Sequence, residues 1–228
     1  GANPGGGTLS GTLTVNAVNG VASFSNLSID KPGVGYALTV SAGGLTGATS
    51  AVFSIIAGSA TRLAVMVQPS NAMAGATITP AVQVHVRDVF GNHVDTATNS
   101  VTIAIGTNPG GATLSGTTTV NAVNGEANFA NLSINKAGVD YTLVASASGL
   151  TGATSAAFNI TVGAAAKLAF TAQPSNAPAG AAIAPAVQVE VQNAFGVRID
   201  TATNSVTLAI GSNPGGATLS GTTTVSTV

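Results

Sequence analysis

The 228-residue chain contains no cysteine and no tryptophan. Without thiols there is no disulfide framework, no thiolate-ligated metal and no cysteine nucleophile. Charge is nearly as scarce. Asp, Glu, Lys and Arg make up 6% of the sequence, against about 25% in an ordinary soluble domain. Six Lys plus Arg against seven Asp plus Glu leave a net charge of −1, so no positive field exists to gather nucleic acid or an anionic lipid surface. Long apolar runs are missing as well. The mean hydropathy of +0.45 would suit a membrane protein, yet the longest apolar runs are broken within a few residues by Gly, Thr, Ser or Asn, well short of the ~18 residues a spanning helix needs. No basic segment followed by an apolar one opens the chain, so no signal peptide is visible. A start at Gly1 instead of Met suggests a processed or excerpted chain.

What is abundant is small and compatible with β structure: 41 Ala, 30 Thr, 29 Gly and 18 Asn. The dominant feature is internal repetition. Asn-Pro-Gly-Gly begins at Asn3, Asn108 and Asn213, a spacing of 105 residues each time. Residues 1–105 align with 106–210 without a gap at 71 identical positions, and 211–228 restart the unit with 15 matches to 106–123. A period this long is a whole domain and not a solenoid turn.

Differences between the copies follow the strand period. Val82-Gln-Val-His-Val-Arg87 becomes Val187-Gln-Val-Glu-Val-Gln192, so the valines hold while His85 becomes Glu190 and Arg87 becomes Gln192. One invariant apolar face with period two marks a half-buried strand. Leu63, Val65 and Val67 (counterparts Leu168, Phe170 and Ala172) and Val101, Ile103 and Ile105 (counterparts Val206, Leu208 and Ile210) are expected on inner faces in the same way. Asn19-Gly20 and Asn124-Gly125 predict two-residue hairpins, and Asn108-Pro109-Gly110 predicts a type II turn. Phe90-Gly91-Asn92 should end the strand that starts at Val82. No window shows a capped 3.6-residue apolar period. The expected fold is all-β, a tandem series of immunoglobulin-like β-sandwiches with a 105-residue period. The weakest-patterned joints, Ala57-Gly-Ser-Ala60 and Gly163-Ala-Ala-Ala166, divide the chain into three parts. Residues 61–162 form one complete domain, 1–57 the C-terminal part of another and 165–228 the N-terminal part of a third.

With strands and turns placed, the chain resembles bacterial immunoglobulin-like domains of the invasin/intimin type. The likeness rests on Ala81-Val-Gln-Val-His-Val-Arg-Asp-Val-Phe-Gly-Asn-His-Val94, on Asn124-Gly-Glu-Ala-Asn-Phe129 and on Ala137-Gly-Val-Asp-Tyr-Thr-Leu-Val-Ala145. It implies an extracellular or cell-surface bacterial setting, tandem arrays, and a spacer or adhesive role. The second copy departs from the pattern: Gln192-Asn193-Ala194-Phe195-Gly196-Val197 lacks both the Asp and the Gly-Asn.

Candidate chemistry is sparse. A Ser–His–Asp set would require His85 or His93, the only histidines. Both fall at positions expected to be solvated, and no carboxylate pair stands out for acid–base work; the expectation is a non-enzyme without a cofactor. Asp88, Asn92 and Asp95 gather oxygen atoms around one turn, which makes them a Ca²⁺ candidate, although such side chains commonly cap their own turn. Asn26, Asn131 and Asn159 head N-x-Ser/Thr sequons and are candidate glycosylation sites. Phe90 and Phe129, with counterparts Phe195 and Phe24, are expected in the core.

Three functions remain in view. The chain can be a structural or adhesive repeat acting as a stalk, its partners being neighbouring repeats of the same protein. It can be a subunit that assembles into a filament through edge strands or complementary half-domains, since lysines that would guard strand edges are few. Or it can be a carbohydrate-binding module, for which seven Phe, two Tyr and no Trp make a thin aromatic platform.

Overall fold

A computed structural model describes residues 1–227. Every regular element among them is a β-strand, two to six residues long. Among the described residues, no helix is long and apolar enough to cross a membrane. The terminal Val228 of the expected third part lies outside the described residues.

Residues 61–162 hold the main core. Strand Val82–Arg87 is the centre of a three-stranded antiparallel sheet, flanked by Arg62–Val67 and Glu126–Phe129. Its alternation is realised: Val82, Val84 and Val86 are buried, while Gln83, His85 and Arg87 are half-buried on the other face. A second sheet places Ser100–Ile105 between Thr119–Asn121 and Leu143–Ser146, with Ala153–Thr154 at its edge. In a third, Phe158–Thr161 pairs antiparallel with Gly138–Tyr141 and parallel with Ala72–Met73. Leu63 N–H donates to Thr151 O at 2.8 Å and Thr151 N–H to Thr61 O at 2.9 Å, tying the first strand to the loop before Ala153. Val84, Val101, Ile103, Phe129, Leu132, Tyr141 and Phe158 meet in one buried cluster, each contributing about 1.5–3 kcal/mol by leaving water.

The turns explain the strand order. Val123 and Glu126 exchange backbone hydrogen bonds of 2.9 and 3.0 Å, and Asn124 and Gly125 both have positive φ, 50° and 73°. Two left-handed central residues define the type I′ turn that suits the twist of a hairpin. Asn19-Gly20 repeats it between Val18 and Val21. The turn at Asn108 differs from expectation. Gly111, not Gly110, has the positive φ, and Gly111 N–H donates to Asn108 O at 3.3 Å, which excludes type II. Gly110 serves close approach instead: a Cβ there would lie 2.5 Å from the Tyr141 hydroxyl and 2.8 Å from Ala137 O. Asn108 holds the loop by donating to Ala112 O and accepting Ala112 N–H.

Segments 1–57 and 165–227 are built from two-stranded pieces. Leu9–Ser10 pairs with Ser28–Ile29 and Gly33–Tyr36 with Phe53–Ile55. Further on, Lys167–Ala172 pairs with Gln188–Gln192 and Ser205–Thr207 with Thr224–Ser226. Local contacts recur at counterpart positions. The Thr102–Thr119 hydroxyl pair at 2.9 Å returns as Thr207–Thr224 at 2.9 Å. Tyr36 donates to Lys31 O as Tyr141 does to Lys136 O. Two apolar expectations fail. Leu168, Phe170 and Ile210 are 55%, 50% and 38% exposed, because residues 126–162, which complete the core of the central segment, have no counterpart within 165–227. Of the four phenylalanines, only Phe129 is in the core. Phe90 is 65% exposed and Phe195 49%, both on turns, and Phe24 is exposed in the thin first segment.

Candidate functional site at the joints

The most constrained polar groups lie where one segment meets the next. Asp88 follows strand Val82–Arg87 and opens a turn closed by Gly91 N–H to Asp88 O at 3.1 Å and Asp88 N–H to Asn92 O at 3.0 Å. Gly91 supplies the left-handed φ of 84° the turn needs. Asp88 is 1% exposed. Its Oδ1 accepts the N–H groups of Phe90 at 2.9 Å and Asn92 at 2.8 Å. Its Oδ2 accepts the Gly58 N–H at 3.0 Å and the Asn92 side-chain amide at 2.9 Å. The same Asn92 amide donates to Asp30 O at 2.8 Å. Two side chains therefore fasten the turn to the linker and the body of the preceding segment. Burial pushes the Asp88 carboxyl up, but hydrogen bonds from the Asn92 side chain and the Gly58, Asn92 and Phe90 backbone outweigh it and hold it below its ordinary value.

Asn193 is the counterpart of Asp88 and is equally buried. Its Oδ1 accepts Phe195 N–H at 2.9 Å and Val197 N–H at 3.0 Å, reproducing the turn. Its Nδ2 donates to Val162 O at 2.8 Å and Ala74 O at 2.9 Å, both in the preceding segment. The second copy, which lacks the Asp and the Gly-Asn, keeps the fastening by another route. Val197 and Phe195 also close on Gly75, where a Cβ would sit 2.6 Å from Phe195 Cβ and 3.3 Å from a Val197 methyl. Beside this joint an open cleft of about 780 Å³ runs between Gly110, Lys136 and Ala137 on one side and Gly196 to Arg198 on the other.

Of the Ca²⁺ candidates, the structure brings Asp88 and Asn92 together but leaves Asp95 exposed and outside their hydrogen bonds. A cation at Asp88 would have to displace four N–H donors. Among the described residues, no group of three His, Cys, Asp or Glu side chains is placed to hold a metal. The sequon residues are engaged locally. Asn26 and Asn131 are exposed, and each accepts a threonine N–H, from Thr12 and Thr117, while donating to the same threonine's hydroxyl. Asn159 is half-buried and accepts Asp140 N–H at 2.9 Å.

The histidines are less solvated than expected. Both are half-buried, their rings 4.5 Å apart. His85 Nε2 lies 3.6 Å from a Glu126 carboxylate oxygen, and His93 Nε2 meets Asn124 O at 2.7 Å. Burial first and the His93 ring second lower the His85 pKa, with Glu126 opposing. The cross-strand pairing of His85 with Glu126 accounts for the placement.

Sequence reasoning located the joints but missed what fastens them, because Gly58 and Asp88 are thirty residues apart and nothing local links them. One signal was present: Asp88/Asn92 and Asn193/Val197 change together between copies. A carboxylate has no donor, so Asn92 supplies one; Asn193 carries its own, so position 197 is free to be apolar.

No protein-family model and no curated protein matches the chain. Solved structures resemble parts of it. A β-glycosidase from Bacteroides vulgatus matches with a TM-score of 0.37 and 14% identity, over 60% of this chain and 20% of that one. Domains 4–9 of the surface layer protein SbsC match at 0.35 and 17%, over 82% of this chain and 29% of that one. Domains 1–6 of SbsC match at 0.34 and 14%, over 84% and 25%. The chain thus spans less than a third of each of these proteins, and likeness at this level speaks to no activity or partner.

Proposed function

We propose that the chain is a non-enzymatic structural stretch of a bacterial extracellular or cell-surface protein, a semi-rigid stalk of tandem immunoglobulin-like β-sandwich domains with a 105-residue period. In this reading 61–162 is one domain, and 1–57 and 165–228 are parts of its neighbours. The observation that carries it is the pair of joints. Asp88 and Asn193, both buried, each tie a turn to the linker before it across a connection of a few residues. A short connection with buried hydrogen bonds limits bending, whereas domains joined only by flexible chain move freely. The tyrosines support the fold assignment. A hydroxyl that folds back onto the backbone five residues upstream, as in Tyr141 to Lys136 and Tyr36 to Lys31, is a device of immunoglobulin-like sandwiches. Small-angle scattering on the 228-residue chain tests the proposal. An elongated particle with a narrow length distribution is expected; a collapsed or broadly bent one overturns it.

A second reading has its own observation. Within 165–227 an open groove of about 710 Å³ is lined by Val189, Val191, Val206, Leu208 and Val225. Residues 126–162 contribute to the core of the central segment, and their sequence counterparts are 21–57. Residues 21–57 of a second copy would fit that groove and give head-to-tail filaments. Concentration-dependent growth in light scattering supports this assembly, and a monomer at millimolar concentration rules it out.

A further inference from the structure

We infer that the side chain at the first turn position, Asp88 or Asn193, sets which face of the linker peptide turns inward, so that the two joints are locks of opposite polarity. The inference rests on the joint geometry alone and stands whether or not the array serves as a stalk.

The peptide between Ala57 and Gly58 presents its N–H to Asp88 Oδ2 at 3.0 Å. The counterpart peptide, between Val162 and Gly163, presents its C=O to Asn193 Nδ2 at 2.8 Å. The same peptide group is turned over. A peptide plane is flipped at little cost by changing ψ of the residue before it and φ of the residue after it. The glycines record that change: Gly163 has φ +79°, while Gly58 lies outside the left-handed region. Glycine accommodates either value, which other residues do not.

The chemistry of the two side chains dictates the direction. In both turns one oxygen is consumed by two backbone N–H groups of the turn itself. What remains of Asp88 is an oxygen that only accepts, so the linker must offer a donor. What remains of Asn193 is an NH₂ that only donates, so the linker must offer a carbonyl. The partner position follows. Asn92 adds a second donor to the carboxylate and a contact to Asp30 O. With Asn193, a second carbonyl, Ala74 O, fills the remaining donor, and an amide at 197 is not required. Phe195 and Val197 pack there against Gly75 instead.

The test exchanges the locks in the 228-residue chain: Asp88→Asn with Asn92→Val at the first joint, and Asn193→Asp with Val197→Asn at the second. Each glycine is then replaced by alanine in both backgrounds and the thermal midpoint read. In the native background Gly58→Ala should be nearly silent, because its φ suits alanine and the new Cβ would stand 3.4 Å from Asp88 Oδ2. Gly163→Ala should lower the midpoint, because φ +79° strains it. After the exchange the order should reverse, Gly58→Ala becoming costly and Gly163→Ala mild. Equal effects in both backgrounds overturn the inference. A measurement on the unaltered chain guards against variants that fail to fold. The Gly58 amide, held by the buried carboxylate, should exchange with solvent about tenfold more slowly, or slower still, than the Gly163 amide. Equal exchange rates would overturn it too.

Discussion

Asp88 concentrates more hydrogen bonds than any side chain near it, and its energetics are correspondingly one-sided. Replacing it with alanine leaves the Gly58, Phe90 and Asn92 donors facing a void, which should cost about 3 kcal/mol in denaturant unfolding of the chain. Its folded pKa lies below the ordinary 3.8. The unfolded state therefore takes up the proton first as pH falls. The stabilisation is complete above the unfolded value and is lost as pH drops through the folded one. Asn193 does not titrate, so acid should loosen the first joint alone, visible as amide shifts at Gly58 without matching shifts at Gly163. Because four N–H groups occupy its oxygens, millimolar Ca²⁺ or a chelator should leave the thermal midpoint unchanged; a clear rise with Ca²⁺ would assign the turn to the metal instead. His85 should titrate below 6.5, and His93→Ala should bring it back toward that value in an NMR titration. The acidic and amide residues were legible in the sequence as turn residues, but their burial was not. That depends on Gly58 and Val162, which lie far away along the chain.

At the scale of strands and turns, the sequence carried most of its own instructions. Period-two alternation at Val82–Arg87 and the Asn-Gly hairpins follow from sterics within a few residues, and both stand in the structure as expected. The Asn108 turn differs from expectation because the sequence shows two adjacent glycines without showing what each is for. Gly111 meets a conformational demand and Gly110 a spatial one, set by Tyr141 thirty-one residues later. The two should respond differently. Gly111→Asn, with open space around it and a residue that tolerates φ near +56°, should cost less than about 1 kcal/mol. Gly110→Ala collides with Ala137 O and the Tyr141 hydroxyl and should cost about 2 kcal/mol or more. Equal shifts in urea midpoint would contradict this division. Phe90 and Phe195 show the converse limit. Their matching positions suggest burial, but both sit on the outside of a turn that packs against the preceding segment and not within their own core.

Across the whole molecule, order is uneven. The buried cluster runs from Leu63 to Ile160, and among the described residues on either side of that span the buried apolar side chains are Tyr36, Ala37, Val191, Ile199 and Val206. Hydrogen exchange should accordingly find its slowest amides at Val84, Val86, Val101, Ile103 and Ala127, with those of Lys167–Ala172 exchanging orders of magnitude faster. Uniform protection along the chain would contradict the burial pattern. The repeat was legible from sequence, but this unevenness was not, because counterpart strands differ in exposure according to which later residues cover them.

The joints divide their labour in a way that bears on how such a chain can change over generations. On one side stand specific side chains: Asp88 with Asn92, or Asn193. On the other stand only backbone groups, the Gly58 N–H and the carbonyls of Asp30, Val162 and Ala74. Backbone groups survive almost any substitution. The trailing end of a unit can therefore drift in sequence wherever its glycines are kept, while the leading turn of the next changes only by exchanging one complete donor–acceptor set, Asp88 with Asn92, for the other, Asn193 with Val197. Because each unit brings its own key and finds a lock made of plain main chain, duplicating or deleting one whole period restores a usable joint at once.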